Sequence, residues 1–116
     1  MATSTRYVQI TFSDGVSGTQ RIEAASNTDS PASIEIKTLS SGNNTITVPT
    51  GGSTVRACTI EPPTGNTVAM ILKGANGDTG VALHDTDPTS IAIDGAVTTF
   101  VINVDGTLTG LRLLWS

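Results

Sequence analysis

The sequence TVAMILKGANGDTGVALHDTDP, which spans Thr67 to Pro88, carries the strongest fold signals in this chain. Five consecutive apolar residues, Val68 to Leu72, are followed by a Gly-rich connection, a second apolar segment and a Pro-containing turn. Aliphatic and β-branched residues bounded by turn formers predict two β-strands. Because the first strand has no polar face, we expect it to be covered on both sides, as a central strand or at a subunit contact.

Comparable short apolar segments follow one another along the whole chain, with turn signals about every 8–12 residues. The composition agrees, because 20 threonines and 12 glycines among 116 residues are typical of strands and tight turns. We therefore predict an all-β chain in which residues 1–116 form a single antiparallel β-sandwich domain. About 8–10 short strands in this arrangement favour a jelly-roll-like sandwich.

The alternation of apolar and polar residues gives three local expectations. Ile34 and Ile36 alternate with charged residues and are predicted to face the core. Asp105-Gly106 lies between two alternating apolar segments, Phe100–Val104 and Leu108–Trp115, and predicts a β-hairpin. At least three of the four aromatic side chains are assigned to the core, the four being Tyr7, Phe12, Phe100 and Trp115.

Charge and hydropathy exclude several classes of protein. The net charge is -4 and the 6 basic residues are dispersed, so a nucleic-acid partner is not expected. No apolar run approaches the ~20 residues of a membrane helix, and the N-terminal residues do not resemble a signal peptide. We expect synthesis in the cytosol and no membrane association. The single cysteine, Cys58, is predicted to be an inert residue of a buried strand.

The triplet Asp78-Thr79-Gly80 matches the catalytic triplet of aspartic proteases, whose retroviral members are dimers of similarly short chains. In that family a hydrophobic strand precedes the aspartate and brings two carboxylates together. Here Ala75-Asn76-Gly77 precedes it. A turn in which Asp78 binds backbone N–H groups is therefore the favoured interpretation, and the protease remains a remote alternative.

His84, with Asp85 and Asp87, has the residue types of a zinc or manganese site. One histidine beside a turn, on the outward side of a strand that directs Leu83 inward, is more typical of a surface residue. No nucleophile and base occur at a recognisable spacing. We predict no catalytic residues, no metal ligands and no cofactor.

Surplus apolar residues are the better indication of function. If one side of each strand faces the core, then Ile71, Val101 and Leu114 face outward, and outward aliphatic residues predict a covered surface. The Gly-rich connection is a second candidate for partner contact. The predicted contact residues are Ile71, Gly74, Asn76, Gly77, Asp78, Val101 and Leu114. Symmetric contacts between copies of the chain are expected, with a trimer as one candidate.

The last two-thirds of the sequence resembles small structural proteins of tailed bacteriophages. The segments that carry the resemblance are Thr45–Pro49, Gly65–Thr67, Leu72–Gly74 with Gly77–Gly80, His84–Pro88 and Gly110–Ser116. The resemblance implies a virion component with a sandwich fold, either a capsid decoration protein or a head or tail accessory protein. Its partners would be further copies of itself and the major capsid protein, and its location the capsid surface.

Two other functions stay open at this stage. A carbohydrate-binding β-sandwich, as in lectin modules, would need exposed aromatic residues, of which few are expected here. A tail accessory protein would share the composition of a capsid decoration protein. Neither alternative involves catalysis.

Overall fold

The computed structural model of the protein describes residues 2–50 and 54–116, and these residues form ten β-strands. Two long strands pair only with each other and form a ribbon, which we call the arm: β1 (Ala2–Thr11) and β2 (Thr19–Ser30). The other eight build two four-stranded sheets: β3 (Ser33–Leu39), β4 (Gly42–Thr47), β5 (Ala57–Glu61), β6 (Met70–Lys73), β7 (Val81–Leu83), β8 (Thr89–Ala92), β9 (Thr99–Val104) and β10 (Leu108–Trp115).

The strand order confirms the predicted antiparallel, jelly-roll-like sandwich. One sheet, which we call sheet 1, has the order β3-β10-β5-β8, and the other, sheet 2, has the order β4-β9-β6-β7. Every pairing within the two sheets is antiparallel. Strands that follow each other in sequence, such as β3 and β4, occupy equivalent positions in opposite sheets, which is the double Greek-key arrangement of a jelly roll. The predicted central strand is β6, which lies between β9 and β7.

The core lies between the two sheets and is almost entirely aliphatic. Phe100 and Trp115 are its two aromatic residues, with ring centroids 6.1 Å apart and planes inclined by 58°. That tilted geometry is favourable for aromatic rings. The most deeply buried aliphatic side chains are Ile46, Ile60, Met70, Ile102, Val104, Leu108, Leu111 and Leu113. In the described residues, no helix is long and apolar enough to cross a membrane.

The predicted hairpin at Asp105-Gly106 is wrong. The turn does join β9 to β10, but β9 belongs to sheet 2 and β10 to sheet 1, so the two strands face each other across the core. Asp105 links this crossover to the connection between β5 and β6, because its Oδ1 accepts the N–H of Ala69 at 2.9 Å. The alternation of apolar and polar residues could not distinguish a hairpin within one sheet from a crossover between two sheets, since both need one apolar face on each strand.

The prediction that Ile34 and Ile36 face the core is also wrong. Leu39 is the residue of β3 that enters the core, opposite Leu108 of β10. Because side chains alternate along a strand, this register turns Ile36 outward, where it is 72% exposed. The inward positions of the strand are occupied by Glu35 and Lys37, whose charged groups are 3.4 Å apart at the edge of the sandwich. Inward charges on an edge strand discourage further strand pairing.

The prediction that at least three of the four aromatic side chains lie in the core is wrong, and the arm explains why. Phe100 and Trp115 are buried, whereas Tyr7 and Phe12 lie on the arm and are exposed. A two-stranded ribbon has no second layer against which to bury large side chains. The arm is also longer than its composition suggests, because β2 continues to Ser30 through a polar segment that resembles a loop in sequence.

Candidate interaction surface

One end of the sandwich gathers the features that could bind a partner. Strand β3 begins there and β10 ends there, since Ser33 pairs with Trp115. The strand directions place the connection 74–80 between β6 and β7, and the connection 93–98 between β8 and β9, at the same end. The arm is also attached here. We call this region the arm end.

Hydrogen bonds fix the base of the arm to the sandwich. The Asn27 side chain donates to the Thr54 carbonyl at 2.6 Å, and the Thr54 N–H donates to the Asp29 carbonyl at 2.9 Å. Arg56 adds a longer bond from its guanidinium to the carbonyl of Ser26 at 3.4 Å. Asn27 is itself buried, so its polar side chain is satisfied inside the structure. The arm therefore has a defined root.

The tip of the arm is an ordered turn that presents an apolar residue. The Phe12 N–H donates to the Gly18 carbonyl at 2.8 Å and closes the loop. Within it, Asp14 Oδ1 accepts the N–H groups of Val16 and Ser17 at 2.9 and 2.8 Å. Val16 is held outward by this arrangement and is 91% exposed. The position is unusual, because the residues around it in this turn are small or polar.

The connection 74–80 is a compact turn, as predicted. Asp78 Oδ2 accepts the N–H of Ala75 at 2.8 Å, which is the backbone-binding role expected for this aspartate. In this connection the glycine with a left-handed backbone is Gly80, at φ 74°, whereas Gly77 does not have a positive φ. Gly80 also packs tightly on β6, because a Cβ there would lie 2.8 Å from Ile71 Cγ2.

Side chains of the same chain cover part of the outer face of sheet 2. Lys73 Nζ reaches across β9 to Asn43 Oδ1 on β4, at 3.3 Å, and to the Asn76 carbonyl at 3.4 Å. Asn103 on β9 donates to the same Asn43 oxygen at 2.8 Å. This network leaves Val101 only 4% exposed, although it points away from the core. The expectation that Val101 offers an outward contact therefore fails, because the aliphatic stem of Lys73 crosses the outer face next to it.

The remaining predicted contact residues divide between two surfaces. Gly74, Asn76, Gly77 and Asp78 are exposed together in the turn at the arm end, and the half-buried Ile71 lies beside them on β6. Leu114 is separate. It lies on the outer face of sheet 1, directly opposite Ile34. We call the three residues Ile34, Ile36 and Leu114 the outer stripe.

An open corner of the sandwich at the arm end is a feature that sequence reasoning missed. A cavity of about 800 Å³ lies between the edges formed by β7 and β8. Its apolar wall consists of Leu72, Val81, Ile91, Ile93, Val97 and Phe100. We call it the corner cleft. The sequence signal was Val97, a large apolar residue next to the threonines that lead into β9.

The opposite end of the sandwich is held by polar turns. His84 Nδ1 accepts the backbone N–H groups of Thr86 and Asp87 at 3.2 and 2.9 Å, so its lone pair is used within the turn. The buried Asn66 donates to the Asp85 carbonyl at 2.7 Å and joins this turn to the connection before β6. His84 lies on the surface, as expected. Among the described residues, no group of three or more His, Cys, Asp or Glu side chains is placed to hold a metal ion.

Comparisons with protein families, with curated proteins and with solved structures found no match for the chain.

Proposed function

We propose that the chain is a non-enzymatic structural protein of a tailed-bacteriophage virion, and specifically a decoration protein that forms a homo-oligomer on the outside of the capsid. The carrying observation is the arm. It exposes Phe12 and Val16 on a ribbon that cannot bury them by itself. Large apolar side chains grouped on a projecting element are typical of surfaces that another chain covers.

The outer stripe supplies the second surface that such a protein needs. Ile34 and Ile36 are 58% and 72% exposed on edge strand β3, and Leu114 continues the apolar surface on β10. A decoration protein must contact both its own copies and the shell. We assign the arm end to contacts between copies and the outer stripe to the shell.

The fold and the charge are compatible with this proposal. Jelly-roll sandwiches occur in viral capsid domains and also in lectin domains, so the fold by itself does not choose between them. A net charge of -4 disfavours attachment to packaged or host nucleic acid. The sequence resemblance to phage structural proteins supports the proposal that the protein is a virion component. On this proposal the protein is made in the host cytoplasm and finally lies on the capsid surface.

The proposal is tested by adding the purified chain to capsid shells assembled without it and sedimenting the shells. We expect saturable cosedimentation at a fixed ratio to the major capsid protein. The double variant Ile34→Asp/Ile36→Asp should lose binding, because it places two carboxylates in the outer stripe. Thr64→Asp, which adds a charge to an exposed loop at the other end, should bind normally. Failure of the unmodified chain to sediment with shells would refute capsid decoration.

A carbohydrate-binding module is the second candidate, because Tyr7 and Phe12 are exposed where burial was expected. Sugar-binding surfaces commonly use exposed aromatic rings as platforms. However, the two rings are separated along the arm, since Tyr7 lies within β1 and Phe12 follows its last residue, Thr11. Binding to defined glycans on an array, lost in Tyr7→Ala or Phe12→Ala, would favour this candidate over the virion protein. Sedimentation with isolated tails, and not with heads, would instead indicate a tail accessory protein.

A further inference from the structure

The corner cleft exposes residues that belong to the core by their strand positions. Val81 lies opposite Leu72 on the inner face of sheet 2, and Ile91 lies opposite Cys58 on the inner face of sheet 1. In a closed sandwich such side chains would be covered, but Val81 is 66% exposed. A cavity of about 800 Å³ with an apolar wall is large enough to admit several side chains of a partner.

The tip of the arm carries an apolar group of matching character. Ile10, Phe12 and Val16 are all exposed, and the Asp14 turn holds Val16 at the far end. Transferring these side chains into an apolar cavity would remove their surface from water, which is the main favourable term in protein association. The chain therefore has an open apolar cleft and an uncovered apolar tip.

The tip cannot occupy the cleft of its own chain. Arg56 binds the arm root at Ser26, and its carbonyl accepts the N–H of Ile93, a residue of the cleft wall, at 2.7 Å. The cleft thus begins next to the root. From Ser26 back to Thr19, strand β2 runs for seven residues, which span ~23 Å at ~3.3 Å per residue, and the turn that carries Val16 lies beyond them. The occupant must come from a second molecule.

We infer that the arm tip of one copy docks in the corner cleft of the next copy. The contact is heterologous, because the two surfaces differ, and it closes into a ring if the rotation between copies allows. The strand part of the ribbon from its root to the turn is ~23 Å long and ~10 Å wide, so it has ~230 Å² on each face. Covering both faces of one arm buries ~460 Å², and a copy in a closed ring makes the contact twice, with its arm and with its cleft, so about 900 Å² per copy is comparable to the ~800 Å² per partner of a standard stable interface. This inference rests on the oligomer in the proposed function, but not on capsid binding.

Light scattering coupled to gel filtration tests the contact with two complementary variants. Val16→Asp changes only the tip and Val97→Asp changes only the cleft wall, and both residues are exposed enough to tolerate the change. We expect the unmodified chain to have the mass of one closed oligomer across concentrations. Each variant alone should be a monomer, whereas Thr64→Asp should keep the oligomer.

Mixing the two monomeric variants provides the decisive measurement. An intact tip on Val97→Asp can enter the intact cleft of Val16→Asp, but no further copy can then be added. The mixture should therefore give a heterodimer and nothing larger. A persistent monomer in the mixture would overturn the inference, and so would a monomeric unmodified chain or an oligomer that survives Val16→Asp.

A cysteine pair checks the same geometry without adding charge. The double variant Val16→Cys/Val97→Cys should form disulfides between copies under mild oxidation and appear as a covalent ladder or closed oligomer. The native Cys58 is buried and should not interfere. A disulfide confined within one chain, or no cross-link at all, would contradict docking between copies. If the unmodified chain forms the oligomer but does not bind shells, the proposed function is refuted, whereas the contact between arm tip and corner cleft is still supported.

Discussion

Gly80 lies so close to Ile71 that a Cβ on the glycine would stand 2.8 Å from Ile71 Cγ2. The same Cβ would lie 2.7 Å from Lys73 Cγ, and the residue has a left-handed φ of 74°. The return from the 74–80 turn into β7 therefore requires glycine on two separate grounds, conformation and space. This contact also positions the edge of the corner cleft, because β7 forms one side of it.

The first prediction is that Gly80→Ala is destabilising and Gly77→Ala is not. The left-handed conformation costs a residue with a Cβ roughly 1–2 kcal/mol, and the contacts with β6 add to that cost. Gly77 has no positive φ, and a Cβ on it would meet no atom within 4 Å, so the matched variant should differ little from the original chain. Urea unfolding curves measure both. Equal stability of the two variants would contradict the described turn.

The second prediction concerns the register of β3. Leu39→Ala should lower the free energy of unfolding by about 2–5 kcal/mol, because it leaves a cavity in the core. Ile36→Ala, on the same strand, should change it by less than about 0.5 kcal/mol, because the side chain is 72% exposed. Chemical denaturation of the two variants distinguishes a β3 that buries Leu39 from a β3 that buries Ile34 and Ile36. If Ile36→Ala were the more damaging change, β3 would face the other way.

The third prediction is that the Cys58 thiol does not react in the folded protein. Burial, with a smaller effect from the Glu35 carboxylate, raises the pKa of Cys58 to about 12. Almost no thiolate is then present at pH 8, and the thiolate is the reactive form. An aromatic disulfide reagent should titrate one thiol only after unfolding in guanidinium. A Thr64→Cys variant, with an added exposed thiol, should react at once in the folded state.

The fourth prediction concerns the arm tip at low pH. Hydrogen bonds from the Ser17 hydroxyl, and then from the backbone N–H groups of Ser17 and Val16, lower the pKa of Asp14 from 3.8 to about 2. Because the pKa of Asp14 is lower in the folded state, its ionised carboxylate stabilises the turn at pH values above the unfolded-state pKa. That stabilisation is lost as the pH falls from about 4 towards 2.

Carbon-detected NMR of the Asp14 carboxyl group measures this titration directly. Ser17→Ala removes the largest cause and should move the pKa of Asp14 upward, toward the ordinary value. Ser13→Ala, on the other side of Asp14, is the matched control and should leave the titration unchanged. An Asp14 titration near pH 4 in the original chain would show that the turn is not formed in solution.

The strands of the sandwich were largely predictable because their signals are local. Alternation located β9 and β10, and the apolar run before Lys73 predicted the interior strand β6. The Asp78 turn was also predictable, since an aspartate that binds nearby backbone N–H groups needs only a few neighbouring residues. In each case the interaction spans a short stretch of sequence.

The prediction failed where two arrangements satisfy the same local pattern. Ile34 and Ile36 alternate equally well whichever side of β3 faces inward, and the choice is made by Leu39 packing near Leu108 from the distant strand β10. Val101 points outward as expected but is covered by Lys73, which belongs to a different strand. Both outcomes depend on residues far apart in sequence.

The amino-acid sequence by itself determined the fold class, the number of strands to within a few, the turn chemistry and the absence of a basic surface. Its period-two pattern and its turn residues are sufficient for these, because they act over only a few positions. The tertiary structure alone decided which sheet holds each strand, which face of β3 is buried, and that Val16 and the corner cleft are exposed on one chain. Those features arise from packing between distant segments, where the burial of one residue forces the exposure of another.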